Sequence, residues 1–193
     1  MINKKILASI FVIGILALAM GWGTYSLFSD TETSSGNTFT AGTLDLKVDG
    51  KDDPTVSVYF TESNIKPGDS GSKTIALSNS GTIGGTAKVH IKNVANTEEA
   101  NPEPETDTTE PGDLGKYLVL KIWYDVEGDG FEADDLIVTD EVNDLNSVKT
   151  NLGALGAGLT RDVKIDWELP SGVGNDILGD KVTFDIEFIL EQA

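Results

Sequence analysis

The chain has 193 residues, which suits one domain and a targeting segment. Its 32 acidic against 14 basic side chains give a net charge of −18, which repels nucleic acid and anionic lipid and makes both poor partners. There is no cysteine, so disulfides, thiol catalysis and cysteine-held zinc or iron–sulfur centres are excluded; the fold must rest on core packing, metal or assembly.

Residues 1–26 read as a secretory signal peptide. Lys4 and Lys5 form its positive region, and the apolar run Ile6–Met20 follows, shorter than the ~20 apolar residues a membrane-spanning helix needs. Small residues Gly21, Gly23, Thr24 and Ser26 come next, and cleavage is expected between Ser26 and Leu27. The alternative is an uncleaved anchor with Trp22 and Tyr25 at the bilayer interface. Either way the chain is expected outside the cell, secreted into an extracellular matrix or held at the cell surface, with membrane contact only through this segment before cleavage. Cleavage removes two lysines and no acid, leaving 12 basic against 32 acidic side chains and a net charge of −20. Association between such chains is expected to respond to ionic strength.

Beyond the signal, period-two alternation dominates. In Thr38–Val48, Leu44, Leu46 and Val48 share one face while Asp45 and Lys47 share the other. Thr55–Phe60 is β-branched and aromatic, a strand by propensity. Pro67-Gly68-Asp69 is turn chemistry. Strands follow over Lys73–Leu77 and Thr86–Lys92, the latter with Ala87, Val89 and Ile91 inward. Residues 97–113 break the pattern with Pro102, Pro104, Pro111 and many acids, and are read as a mobile acidic loop. Lys116–Tyr124 is the most apolar stretch and is assigned a central strand; Leu136–Thr139 is a short one. Leu145, Val148 and Leu152 fall at helical spacing, so one short helix is expected within Asp140–Leu155. Thr160–Leu169 and Lys181–Leu190 close the chain as strands, the last with Val182, Phe184, Ile186 and Phe188 on one face. About eight strands joined by turns predict an all-β fold, an antiparallel β-sandwich of jelly-roll or immunoglobulin-like type with long loops. Such a sandwich has edges, and edges invite pairing with other chains.

Gly23-Thr-Tyr-Ser-Leu-Phe-Ser-Asp30 and Asn37-Thr-Phe-Thr-Ala-Gly-Thr-Leu-Asp-Leu46 resemble the TasA/camelysin family of exported proteins, which carries a signal peptide of the SipW type. Ile65-Lys-Pro-Gly-Asp69 and Leu77-Ser-Asn-Ser-Gly81 resemble the family's second block. The resemblance implies a jelly-roll subunit (residues 37–193) of an extracellular filament, as in TasA-like biofilm matrix fibres and archaeal bundling pili. It also implies a dedicated type I signal peptidase, and a partner that is another copy of the chain, beside other matrix or surface proteins. In these filaments the N-terminal segment of one subunit completes the sheet of the next. Here that donor strand is expected in residues 27–36, with Leu27, Phe28, Ser29, Asp30, Thr31, Glu32 and Thr33 as its core. Leu27 and Phe28 are its natural anchors, each contributing about 1.5–3 kcal/mol on burial. A head-to-tail contact of this kind does not close and so makes filaments. Two rival readings are a monomeric surface or adhesion module and a camelysin-like metalloprotease. The protease reading lacks a ligand set: His90 is the only histidine and lies on a predicted strand, facing outward.

The remaining chemical signal is Asp125-Val-Glu-Gly-Asp-Gly-Phe-Glu-Ala-Asp-Asp135. Carboxylates at Asp125, Glu127 and Asp129, a turn at Gly130, the Phe131 carbonyl, and Asp134 or Asp135 resemble part of an EF-hand-type Ca2+ loop. Glu stands at the third position, and Leu136 takes the place of the bidentate Glu. The alternative is an acidic hairpin turn. Calcium has the edge, because six carboxylates in eleven residues repel one another without a cation.

Overall fold

The computed structural model describes residues 4–6, 8–13, 15, 40–52, 59–98 and 110–192. The chain divides into two compact units, residues 1–40 and 41–193. In the first, residues 4–6, 8–13 and 15 are helical. Among the described residues no helix is long and apolar enough to cross a membrane. The expected cleavage site, the donor segment 27–36, residues 55–58 of the predicted second strand and residues 99–109 of the acidic loop lie outside the described residues.

The second unit is the predicted all-β sandwich. Its strands are β1 (Leu46–Val48), β2 (Ser70–Asn79), β3 (Gly85–Thr97), β4 (Val119–Tyr124), β5 (Leu136–Glu141), β6 (Val148–Leu155), β7 (Thr160–Glu168) and β8 (Lys181–Gln192). One sheet has the order β1-β2-β7-β4-β5 and the other β6-β3-β8. All pairings are antiparallel. A four-residue helix, α1 (Leu114–Tyr117), leads into β4, and single 3-10 turns stand at Ala133–Asp135 and Asn175–Ile177.

The core follows from alternation. Ile75 and Leu77 of β2, Val89 and Ile91 of β3, Leu120 and Ile122 of β4, and Val163 and Ile165 of β7 are all almost fully buried between the sheets. The intervening residues face water and pair as ions, as Lys121 does with Glu168 at 2.8 Å and Lys88 with Glu191 at 2.5 Å.

The short helix is real but stands before β4, not within residues 140–155, where the spacing of Leu145, Val148 and Leu152 placed it. Residues 148–155 are strand β6. Ala87 of β3 pairs with Gly153 while Lys88 pairs with Asn151, so Leu152 is an extra residue in a β-bulge. The bulge changes the parity of the strand and turns both Leu152 and Leu155 inward, a spacing of three that imitates a helix. Gly153 takes φ of +140°, the turn the bulge needs. Val148, the third member of the apparent helical stripe, is 44% exposed. The strand predicted from Lys116 likewise begins only at Val119, and β3 runs on to Thr97 through an irregularity between Lys92 and Ala95.

One buried polar side chain ties the sheets together. Asn79, 1% exposed, donates from Nδ2 to the Ile83 carbonyl at 2.8 Å and the Leu155 carbonyl at 3.3 Å, and its Oδ1 accepts from Gly81 N at 3.0 Å. Asn79→Ala leaves those groups unpaired in an apolar setting, at a cost of about 2 kcal/mol. The expected result in thermal unfolding is a Tm lower by roughly 4–8 °C for a domain of this size; an unchanged Tm would show the network to be dispensable.

Candidate functional site

Three of the pairings are nested: β2 with β7, β3 with β6, and β4 with β5. These are the rungs of one long hairpin folded over on itself, the plan of a jelly roll. The outermost rung of that plan would pair the first strand with β8. The described chain does otherwise: β1 is three residues long and pairs with β2, matching Leu46 with Asn79 and Val48 with Leu77. Strand β8 is thus the last strand of its sheet, and among the described residues nothing pairs with its outer edge.

The consequence is visible in burial. Ala87, Val89 and Ile91 of β3 are 0–2% exposed, whereas Val182, Phe184, Ile186, Phe188 and Leu190 of neighbouring β8, which also face the core, remain only partly buried. They form one wall of a cleft of about 1210 Å³. Leu46 and Val48 of β1, Phe60 and Ile65, and Leu118 after α1 line the rest. A 12-residue strand with a bare edge above an apolar cleft is the kind of surface that takes up an added strand.

Two residues that line the cleft each carry a buried side-chain atom without a hydrogen-bond partner among the described residues. The first is the indole Nε1 of Trp167, a residue 7% exposed, whose ring packs against the bare backbone of its cross-strand partner Gly71. A Cβ on Gly71 would lie 2.5 Å from that nitrogen, so only glycine fits there. The second is Oδ1 of Asp180. Its other oxygen accepts from Asp113 N and, at 2.9 Å, from Leu114 N, and so caps the start of α1.

In the Asp125–Asp135 loop the two buried carboxylates face the backbone. Asp125 is buried, and its carboxylate accepts three backbone N–H groups: Gly128 at 2.6 Å, Asp129 at 3.2 Å and Gly130 at 3.0 Å. Asp135, also buried, accepts from Glu132 N at 2.8 Å across its 3-10 turn. Glu127, Asp129 and Asp134 are exposed, and Phe131 lies 5.0 Å from the Lys164 ammonium, which also sits 4.2 Å over the Trp123 ring. Among the described residues the one carboxylate trio within 4.8 Å is Asp140, Glu141 and Asp144, outside this loop. The geometry gives Asp125 the role of a turn anchor. Asp125→Ala should therefore lower stability by about 2 kcal/mol through the orphaned N–H groups. The same Tm loss with calcium and with chelator is the expected result; a wild-type Tm that rises with calcium would restore the ligand reading.

His90 faces outward, as the alternation predicted. Its Nδ1 lies 3.0 Å from Oε2 of Glu187 on β8, and Lys92 Nζ lies 2.7 Å from the other oxygen. The Lys92 ammonium, then the His90 ring, hold the Glu187 carboxyl below its ordinary value. A depressed carboxylate stabilises the fold above its unfolded pKa and loses that contribution as pH falls through the folded one. In an acid titration Lys92→Met should accordingly begin to unfold at higher pH than the wild type, and coincident curves would show the pair to be without effect.

A family model described as camelysin metallo-endopeptidase matches residues 1–158. The chain belongs to that family. The match runs from the N-terminus through β6. A comparison with curated proteins gave no match. The camelysin description names a metal-dependent peptidase, and the one histidine of this chain is engaged by Glu187 on the outer face of a sheet.

Proposed function

We propose that this camelysin-family protein is an exported structural subunit of an extracellular filament, a biofilm matrix fibre or a bundling pilus. In this reading the signal peptide 1–26 is removed and residues 27–36 of each mature subunit add a strand to the next. The observation that carries it is the outer edge of β8, unpaired among the described residues, above a partly buried apolar face, at the position where the nested pairing calls for one more strand. The β8 edge supplies main-chain partners and the cleft supplies pockets for alternate side chains. Contact between the front of one copy and the edge of another leaves a free front and a free edge at the two ends, so growth continues.

The peptidase named in the family description is a second reading. Its support here is that description alone, and it requires metal-dependent cleavage of an unstructured protein that is lost in His90→Ala.

The filament reading is tested by imaging two purified chains with negative-stain electron microscopy, one beginning at Leu27 and one at Asn37. Fibres from the longer chain alone are expected, and a synthetic peptide of residues 27–36 should bind the shorter chain and cap growth of the longer. Fibres from both chains would remove the donor role from residues 27–36. Monomers from both would favour a surface-binding module.

A further inference from the structure

Building on the donor-strand reading, we infer that the donor segment pairs antiparallel to β8, and that only a second copy of the chain can supply it in that direction. The place where the domain begins fixes the geometry. Strand β8 runs between two poles: Lys181, opposite Thr97, lies at one, and Gln192, opposite Gly85, lies at the other. The domain begins at the Gln192 pole. There the Thr43 carbonyl accepts from Thr82 N at 2.8 Å and Ile83 N at 3.2 Å, both in the turn between Asn79 and Gly85. Gly42 lies against the Ile83 side chain. From Thr43 the chain runs away from that pole through β1, where Leu46 pairs with Asn79 and Val48 with Leu77, along the cleft that β8 also lines. Any segment upstream of Ala41 is thereby tethered to the Gln192 pole of its own domain.

Direction and length together exclude self-closure. An upstream segment laid along its own β8 must approach the Gln192 pole to rejoin Thr43, so it runs parallel to β8. To run antiparallel it would end at the Lys181 pole, about 40 Å from its tether across a 12-residue strand. Residues 27–40 span about 46–50 Å fully extended, so the return path alone would consume about twelve of them. Every described pairing is antiparallel, the outer rung of the nested plan is antiparallel too, and parallel pairing is less stable per residue. A second copy meets the requirement when its Gln192 pole abuts the Lys181 pole of the acceptor. Residues 27–36 then lie antiparallel to the acceptor's β8, and residues 37–40 bridge a gap of up to about 14 Å. Two copies cannot do this for each other at once, since each would need both of its poles against its partner. The contact is therefore open and head-to-tail, and the filament is polar.

The chain has no native cysteine, so the direction can be read by crosslinking. On β8, Thr183 lies near the Lys181 pole and Glu191 near the Gln192 pole, about 27 Å apart, and both are exposed. Four chains beginning at Leu27 carry paired cysteines: Ser29→Cys with Glu191→Cys, Ser35→Cys with Thr183→Cys, and the two converse pairs. Each is co-assembled with an equal amount of unmodified chain, so that fibres form even if a variant alone assembles badly, and is treated with a short bismaleimide. The first two pairs are expected to give dimers, trimers and higher multimers on denaturing gels, roughly tenfold more than the converse pairs, whose cysteines lie a strand length apart. Multimers mainly from the converse pairs would overturn the direction while leaving strand exchange in place, and equal yields from all four would overturn it too. An internally linked monomer as the main product of Ser29→Cys with Thr183→Cys in dilute, unassembled chain would show parallel self-insertion. Products that stop at the dimer would show a closed exchange. Either result would overturn the requirement for an open, antiparallel contact. No crosslink from any pair within fibres would take residues 27–36 off the β8 edge, and the donor-strand reading would fail with it.

Discussion

The structure depends on a nested antiparallel pairing that, among the described residues, is one rung short. Each described rung is satisfied by backbone hydrogen bonds and alternating burial, and the three rungs between them enclose the core of Ile75, Val89, Ile122, Val163 and their neighbours. Where the fourth rung would lie, β8 has no partner on its outer side among the described residues and shows a half-covered row of Val182, Phe184, Ile186, Phe188 and Leu190. Proteins usually blunt such an edge with charge, proline or a covering loop. Here the outward residues of β8 are instead tied sideways to β3, through Lys88 with Glu191, and Lys92 and His90 with Glu187. Those pairs tie the strand to its sheet through its β3 side.

The same constraint explains the distribution of polar chemistry. Loops that must hold their own shape do so with internal acceptors: Asp125 gathers three N–H groups and Asn79 bridges the two sheets. With no cysteine in the chain, these buried polar anchors and the packed core together hold the sandwich. Trp167 and Asp180, which line the cleft, each carry a buried atom without a partner among the described residues, as does Trp123 of β4 outside it. At the β8 edge, among the described residues, unpaired main chain and partly covered apolar side chains coincide, a combination that neither the acidic loop nor His90 offers.

Much of this was legible in the sequence. Period-two patterning located β2, β3, β7 and β8 and their inward faces, because a sheet with one face in the core imposes that alternation on every strand it contains. The resemblance at residues 23–46 pointed to the family that the match over residues 1–158 shows. The acidic loop was legible as a turn and as a calcium loop alike, since composition does not say which atoms a carboxylate will face; that Asp125 turns to its own backbone is a matter of folded geometry.

What the sequence determined by itself was therefore local: strand faces, turn residues, the exclusion of thiol chemistry and the lack of a histidine ligand set. Only the tertiary structure decided what depends on partners distant along the chain. The bulge at Leu152 needed Ala87 and Lys88 opposite it, so a sequence spacing that looks helical became a strand. The pairing of β1 with β2 instead of β8 left the outer edge of β8 unpaired among the described residues, and no local pattern in Leu46–Val48 or Lys181–Gln192 encodes that choice. The physical reason is that strand order is set by competition among long-range pairings for the same edges, a quantity that belongs to the assembled sheets and to no single segment.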